Sequence, residues 1–341
     1  MYDINNMAYA YGHPMLTGVI RTHPEDFMVD EQFAFDFSGE GEHALIHIKK
    51  IDTNTDWLAR QIAEVAGLKK GDISYAGLKD RNAVTTQWFS VWLPGKPDPD
   101  WTLLNSENIE VLSSCRHNRK LRRGSLRGNK FTLIVRQVEG DASDLEQRMN
   151  IIKQDGVPNY FGEQRFGIEG RNLEKAEIMF GGKREKDRFK RSIYLSAARS
   201  AMFNDVLSQR VVMNKWANAI SGDVMLLDNS HSYFLVDEID EKIIQRLNEH
   251  DIHPSGPLWG RGELLSKASV AELENELPSK FKVFDVGLKN ARLDQERRSL
   301  RLSVKDLQWN YNEDKNLLKL SFFLPAGGYA TSVLREIVAI K

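Results

Sequence analysis

Thiols are nearly absent from this chain: Cys115 is the one cysteine in 341 residues. One thiol closes no internal disulfide and builds no multi-cysteine zinc site. Long apolar runs are missing too, with no stretch nearing the ~18 residues of a membrane span. The opening segment MYDINNMAYAYGHP has neither a basic start nor an apolar core, so it does not read as a signal peptide. The cytoplasm is the expected compartment. Charge of one sign is not in excess either: 47 Lys and Arg face 48 Asp and Glu, a formal net charge of −1. A nucleic-acid site must then come from local clustering of cations. The eight histidines show no metal-ligand spacing. No H-E-x-x-H, G-x-S-x-G, P-loop or dinucleotide fingerprint occurs. No metal and no cofactor is expected.

What is present reads as a globular chain long enough for two domains. Strand patterns cover Leu16–Ile20, 27–31, 44–49, Ile73–Ala76, Val84–Leu93 and Phe131–Val138, by alternation or β-branched and aromatic enrichment. Thr55 or Asp56 is placed to cap a helix from Trp57 to Ala66, which Gly67 ends. Gly140-Asp-Ala-Ser-Asp opens another helix. From about Asn159 to Leu300 the character changes to helical patterns at Leu173–Phe180, Ser192–Leu207 and Ile239–Glu249, around an acid-rich hairpin at 223–236. A strand at 317–324 and a closing helix at Thr331–Val338 follow. Strands bracket a helical middle, which predicts an α+β fold with an inserted domain.

Several stretches carry candidate chemistry. In Gly77-Leu-Lys-Asp-Arg-Asn a carboxylate, Asp80, sits between Lys79 and Arg81 in a glycine turn ahead of a strongly apolar strand. Flanking cations favour the ionised form, which can act as nucleophile or base. The alternative is a solvated turn. In Arg21-Thr-His-Pro-Glu-Asp-Phe, Phe27 is a base-stacking candidate or a core residue. The run from Arg116 to Lys130 holds Arg116, Arg119, Lys120, Arg122, Arg123, Arg127 and Lys130 and no acid, which suits a phosphate backbone. Asn129 and Phe131 offer an amide and an aromatic face beside it. Asn159-Tyr-Phe-Gly-Glu-Gln-Arg-Phe-Gly interleaves aromatics, Arg and Gly; 183–191 is mixed charge with a basic excess. Pro325-Ala-Gly-Gly-Tyr feeds a helix N-terminus.

Together these five motifs, in order and across nearly the whole chain, resemble the TruD family of tRNA pseudouridine synthases. The resemblance implies a pseudouridine synthase catalytic domain at 1–154 and 304–341, with a mixed or antiparallel sheet flanked by helices. It also implies an inserted α+β domain at 155–303. It places Asp80 on the catalytic aspartate, and Phe27, Asn129 and Tyr329 on positions that contact the target nucleotide. Tyr329 stands where many members carry Phe. Phe131 matches a tyrosine of related families, so its implied role is stacking. The implied substrate is uridine 13 of a tRNA, a glutamate-accepting one, flipped out of its fold and isomerised. No membrane and no obligate protein partner is implied. Two other readings fit the residues: a non-catalytic RNA-binding protein, and a glycoside hydrolase pairing Glu25 or Asp26 with Asp80.

Overall fold

The structure is a computed structural model that describes residues 6–33, 35–122 and 124–341. They form two compact units. One holds Met15–Ser143, Val304–Gly328 and Val338–Lys341; the other holds the described part of Met1–Pro14 with Asp144–Ser303 and Tyr329–Ile337.

The first unit is built on a mixed sheet. Its strands are β1 (Leu16–Val19), β2 (Phe27–Phe33), β3 (His43–Ile51), β4 (Ile73–Tyr75), β5 (Val84–Trp92), β6 (Ile109–His117) and β7 (Leu126–Gly140). β5 runs parallel to β2 and antiparallel to β3, so the strand richest in β-branched and aromatic residues lies inside the sheet. Helix α1 (Thr55–Val65) lays Leu58, Ala59, Ile62 and Ala63 on Ile46, Ile48, Phe89 and Val91. Each large side chain buried there stabilises by about 1.5–3 kcal/mol. The cap of α1 is Asn54, whose side chain accepts from the amides of Asp56 and Trp57, and not Thr55 or Asp56 as the sequence suggests. Thr55 turns inward to Gln87, and Asp56 accepts from the Tyr75 hydroxyl.

The second unit begins with α2 (Leu145–Asp155) and β8 (Val157–Pro158), then α3 (Arg171–Phe180) and α4 (Arg188–Val212). The hairpin read from the sequence is β9 (Asp223–Leu227) and β10 (Tyr233–Val236), followed by α5 (Glu241–Asn248). β11 (Ile252–Leu258), α6 (Ala268–Asn275), α7 (Leu277–Lys280), α8 (Lys282–Asn290), β12 (Glu296–Ser299) and β13 (Arg301–Leu302) complete it. Its sheet runs β10-β9-β11-β12. Alanines 197, 198 and 201 of α4, with Met202 and Phe203, pack against Phe281, Phe284 and Leu288. A buried ion pair, Arg210 with Asp223 at 2.7 Å, ties α4 to β9.

The chain then returns to the first unit. β14 (Lys305–Asn312) and β15 (Leu317–Pro325) form a hairpin, and β15 pairs antiparallel with β7. The order is β14-β15-β7-β2-β5-β3-β6, with β1 on β7 and β4 on β5. The closing helix is shorter than predicted. α9 spans Ala330–Leu334, and Ala339–Ile340 beyond it pairs as β16 with β1. No helix among the described residues is long and apolar enough to cross a membrane.

The β7–β15 pairing leaves no room at Gly128. A Cβ there would meet the Leu324 carbonyl oxygen at 2.2 Å and the Phe323 ring at 2.4 Å. Gly128→Ala must push the two strands apart, at a cost of about 1–3 kcal/mol. We expect a melting temperature several degrees lower; an unchanged thermal scan would show that the strands have slack.

Candidate active site

Side chains alternate along each strand, so Phe27, Val29 and Glu31 of β2 share a face. The register sets Glu31 opposite Asn129 and Val29 opposite Phe131. On the same face, β3 presents Ile46, Ile48 and Lys50, and β5 presents Thr85, Gln87 and Phe89. Besides Thr85, three longer polar side chains stand at apolar positions: Glu31, Lys50 and Gln87 are all buried. Burying them is unfavourable unless each finds partners.

Their partners are in the loop that carries Asp80. Gln87 Nε2 donates to the Gly77 carbonyl at 2.6 Å. The Lys79 amide donates to the Thr55 hydroxyl at 3.2 Å, and that hydroxyl donates to Gln87 Oε1. Lys50 Nζ donates to the Thr53 and Asp80 carbonyls at 2.7 and 3.2 Å. The loop backbone is therefore held by buried side chains on one side while the Asp80 side chain remains 38% exposed.

The cation that engages Asp80 is Arg21, whose Nη2 donates to Oδ2 at 2.7 Å. Arg21 adopts φ +60° at the turn before β2. Its guanidinium also lies 4.2 Å from the centroid of the Phe27 ring. The neighbours in sequence do otherwise, because adjacent side chains in this loop diverge. Lys79 Nζ lies 2.9 Å from Glu31 Oε1 and donates to Asn129 Oδ1 at 2.8 Å. Arg81 is exposed and sits 3.4 Å from Asp52. The expectation that Lys79 and Arg81 flank the carboxylate directly is corrected on this point.

Electrostatics follow burial. Burial pushes Glu31 up from the ordinary carboxylate range, opposed chiefly by Lys79. Burial also pushes Lys50 down to about 8, with the Asp80 charge opposing it and Lys79 adding to it. Lys79 fixes the amide of Asn129: an ammonium only donates, so the amide oxygen faces it and Nδ2 is left as a donor.

The two phenylalanines of this face are core residues here. Phe27 is 3% and Phe131 6% exposed, their rings meeting edge to face at 6.2 Å, with Phe322 stacked on Phe131 at 5.6 Å. Tyr329 belongs to the other compact unit. Its hydroxyl accepts a short hydrogen bond from Arg165, and its ring lies 6.0 Å from Phe161. The Asn159–Gly167 motif thus supplies the partner for the Tyr329 hydroxyl.

The basic run does not form one loop. Arg116 lies within β6, one residue before its end, paired with Asp98 at 2.7 Å and donating to the Lys96 carbonyl at 2.6 Å. Arg119, Lys120 and Arg122 are exposed on the loop that follows, with no carboxylate partner among the described residues. Arg123 lies outside the described residues. Arg127 and Lys130 are in β7, where they line a separate cavity of about 460 Å³ with Lys305, Gln308 and Phe323. By alternation Lys130 faces away from Asn129 and Phe131.

Sequence reading missed Arg21, Glu31, Lys50, Thr55 and Gln87. Parity was the available signal: Lys50 follows Ile46 and Ile48 at steps of two, Gln87 precedes Phe89 and Val91, and Glu31 follows Phe27 and Val29. Asp26, offered as half of a hydrolase pair, is fully buried and gripped by Arg136 through both oxygens at 2.9 Å. Burial would raise its pKa, but the Arg136 and His23 hydrogen bonds outweigh it and hold the carboxyl below the usual range. That leaves it unsuited to deliver a proton.

A family model described as tRNA pseudouridine synthase D (TruD) matches residues 3–176 and 186–337. A protein of Nitrosococcus oceani named tRNA pseudouridine synthase D is 48% identical over 334 residues, covering 97% of this chain and 93% of that one. One of Methylococcus capsulatus with the same name is 49% identical over 335 residues, covering 98% and 94%. A crystal structure of a TruD protein from Methanosarcina mazei, 21% identical, superposes with a TM-score of 0.70 over 97% of this chain and 95% of its own. At that identity it shows a shared fold.

Two outcomes test the polar network. Lys79→Met leaves the Glu31 carboxylate buried without its ion partner and should cost about 3–5 kcal/mol. Adding Glu31→Gln should recover part of that loss in the same denaturation assay; equal stabilities of the single and double variants would refute the coupling. For Lys50, an NMR titration of its side-chain ammonium should show a midpoint near 8. In Asp80→Asn, loss of the neighbouring negative charge should move that midpoint lower; a midpoint that stays put would mean the two groups do not interact.

Proposed function

Because the chain belongs to the TruD family of tRNA pseudouridine synthases and isomerises uridine to pseudouridine in tRNA, we propose that Asp80 is its nucleophile and uridine 13 of a glutamate tRNA its target. The observation that supports Asp80 is the asymmetry of its carboxylate. Oδ2 is tied to Arg21, Oδ1 has no hydrogen bond among the described residues, and the loop beneath is pinned from the buried side. A nucleophile needs such a fixed frame with one open oxygen.

The reaction breaks N1–C1′ and joins C5 to C1′. N1 gains a proton, C5 loses one, and no electrons enter or leave, so neither oxidant nor reductant is required. The uridine is buried in folded RNA and has to be extruded, at a cost of a few kcal/mol. Phosphate contacts from Arg119, Lys120 and Arg122 offset that cost. Asn129 Nδ2 donates to a uracil carbonyl, with Lys79 as the positioning residue behind it. Phe27 and Phe131 form the apolar wall beneath the nucleotide. Attack at C1′, addition to C6 and abstraction at C2′ all use the open oxygen of Asp80.

Asp80→Asn keeps the shape and the Arg21 contact while removing the nucleophile. We expect pseudouridine formation on transcribed tRNA(Glu) to fall at least a thousandfold, and tRNA affinity to stay within about threefold. Full turnover by Asp80→Asn would remove this residue from the mechanism. Mass-spectrometric mapping of tRNA from cells with and without the gene identifies the position; a pseudouridine retained at 13 in the deletion would refute that assignment.

A further inference from the structure

The second compact unit holds a cavity of about 540 Å³ that the reaction above does not use. Its volume falls in the range of about 300–1,000 Å³ typical of ligand sites. Its floor is apolar, formed by Met179 and Phe180 at the end of α3 and by Leu195 of α4. The Phe180 ring packs directly on Gly287 of α8, where even a Cβ would lie 2.1 Å from it. Four exposed cations, Arg184, Lys186, Arg188 and Arg191, line its rim against one carboxylate, Glu185.

The excess of positive charge has a definable origin. Residues 183–191 hold six Lys or Arg and two acids. Both acids are turned to backbone amides. Asp187 caps α4, accepting from the Phe189 and Lys190 amides at 2.8 and 3.2 Å. Glu185 accepts from the Asp187 amide at 2.9 Å. None of the four rim cations has a salt-bridge partner among the described residues. Four cations against one carboxylate leave the rim with a net positive charge, which favours an anion there. Other groups fit the same class of ligand. Phe189 is 63% exposed between Arg188 and Lys190, a free aromatic face beside cations. Asn290 places an amide on the rim, and Gly182, with open space around it at φ +109°, lets a phosphate approach the backbone closely. Residues 177–185, which supply Met179, Phe180, Gly182, Arg184 and Glu185 to the cavity, fall between the two stretches matched by the family model.

We propose that this cavity is a second RNA site: it takes an unpaired nucleotide of the tRNA substrate, distinct from the target uridine, with its flanking phosphates on Arg184, Lys186, Arg188 and Arg191. Cations over an apolar and aromatic floor are what single-stranded RNA recognises, phosphate by charge and base by stacking. The proposal rests on tRNA being the substrate.

The test uses the full chain with Arg184→Ala, Lys186→Ala, Arg188→Ala and Arg191→Ala combined, all at exposed positions. The probe is the transcribed tRNA that the wild-type protein converts. Kd should rise at least tenfold, KM should follow it, and kcat should change less than about twofold. The slope of log Kd against log salt should fall by about 2–3, since each lost single-strand phosphate contact removes about 0.7. Photocrosslinking of 4-thiouridine-substituted tRNA should label the peptide spanning 179–191 in the wild type. An unchanged Kd and salt slope, or crosslinks confined to other peptides, would overturn the proposal. So would equal competition by duplex DNA of the same charge, which would make the rim a general polyanion surface. A wild-type protein that forms no pseudouridine in any tRNA would instead overturn the functional reading on which this one rests.

Discussion

A loop between strands must satisfy its backbone polar groups outside any ladder, and in residues 77–81 three buried side chains do so. Gln87 receives no help from solvent, Lys50 reaches two carbonyls, and Thr55 relays between the Lys79 amide and Gln87. Everything that makes Asp80 a credible reacting group follows from this restraint. The backbone is fixed from below, the carboxylate is fixed from the side by Arg21, and one oxygen remains open. The constraint is mutual: a lysine and a glutamine at apolar strand positions are tolerated only because the loop, with Thr53 and Thr55, gives them their hydrogen-bond partners.

The overall frame was readable because strand and helix periods differ. The alternation in β2, the β-branched density of β5 and the helical spacing in α3 and α4 all found the element they suggest. Where reading failed, a tertiary contact decided the outcome. Asn54 displaced Thr55 as the cap of α1 because the Thr55 hydroxyl was needed at the loop. The helix expected at 331–338 stops at Leu334, and the chain just beyond 338 pairs with β1. β7 extended back to Leu126, which turned the end of a supposed basic loop into alternating strand positions and sent Lys130 and Asn129 to opposite faces. α6 carries a weak helical pattern, and β11, with two prolines and a glycine, has little strand character.

The candidate site was legible as a list of residues and illegible as an arrangement. Asp80, Asn129 and Phe27 stand out from their motifs, but nothing local says that Arg21 is the cation on Asp80. That contact spans 59 positions and depends on a left-handed turn at Arg21. Nor does charge adjacency in Lys79-Asp80-Arg81 survive folding, since consecutive side chains leave the backbone in different directions. The parity of polar residues along apolar strand faces was the one local clue to the network beneath.

The orientation of one amide carries a chemical consequence. With its oxygen held by Lys79, Asn129 can offer only N–H bonds to a base placed against it. Uracil meets such a group with either of two carbonyls. Cytosine replaces one of them with an exocyclic amine, and at that edge two sets of hydrogens would face each other with no lone pair between them. On the proposed assignment, a lysine that never touches the RNA would help the pocket to tell one pyrimidine from the other.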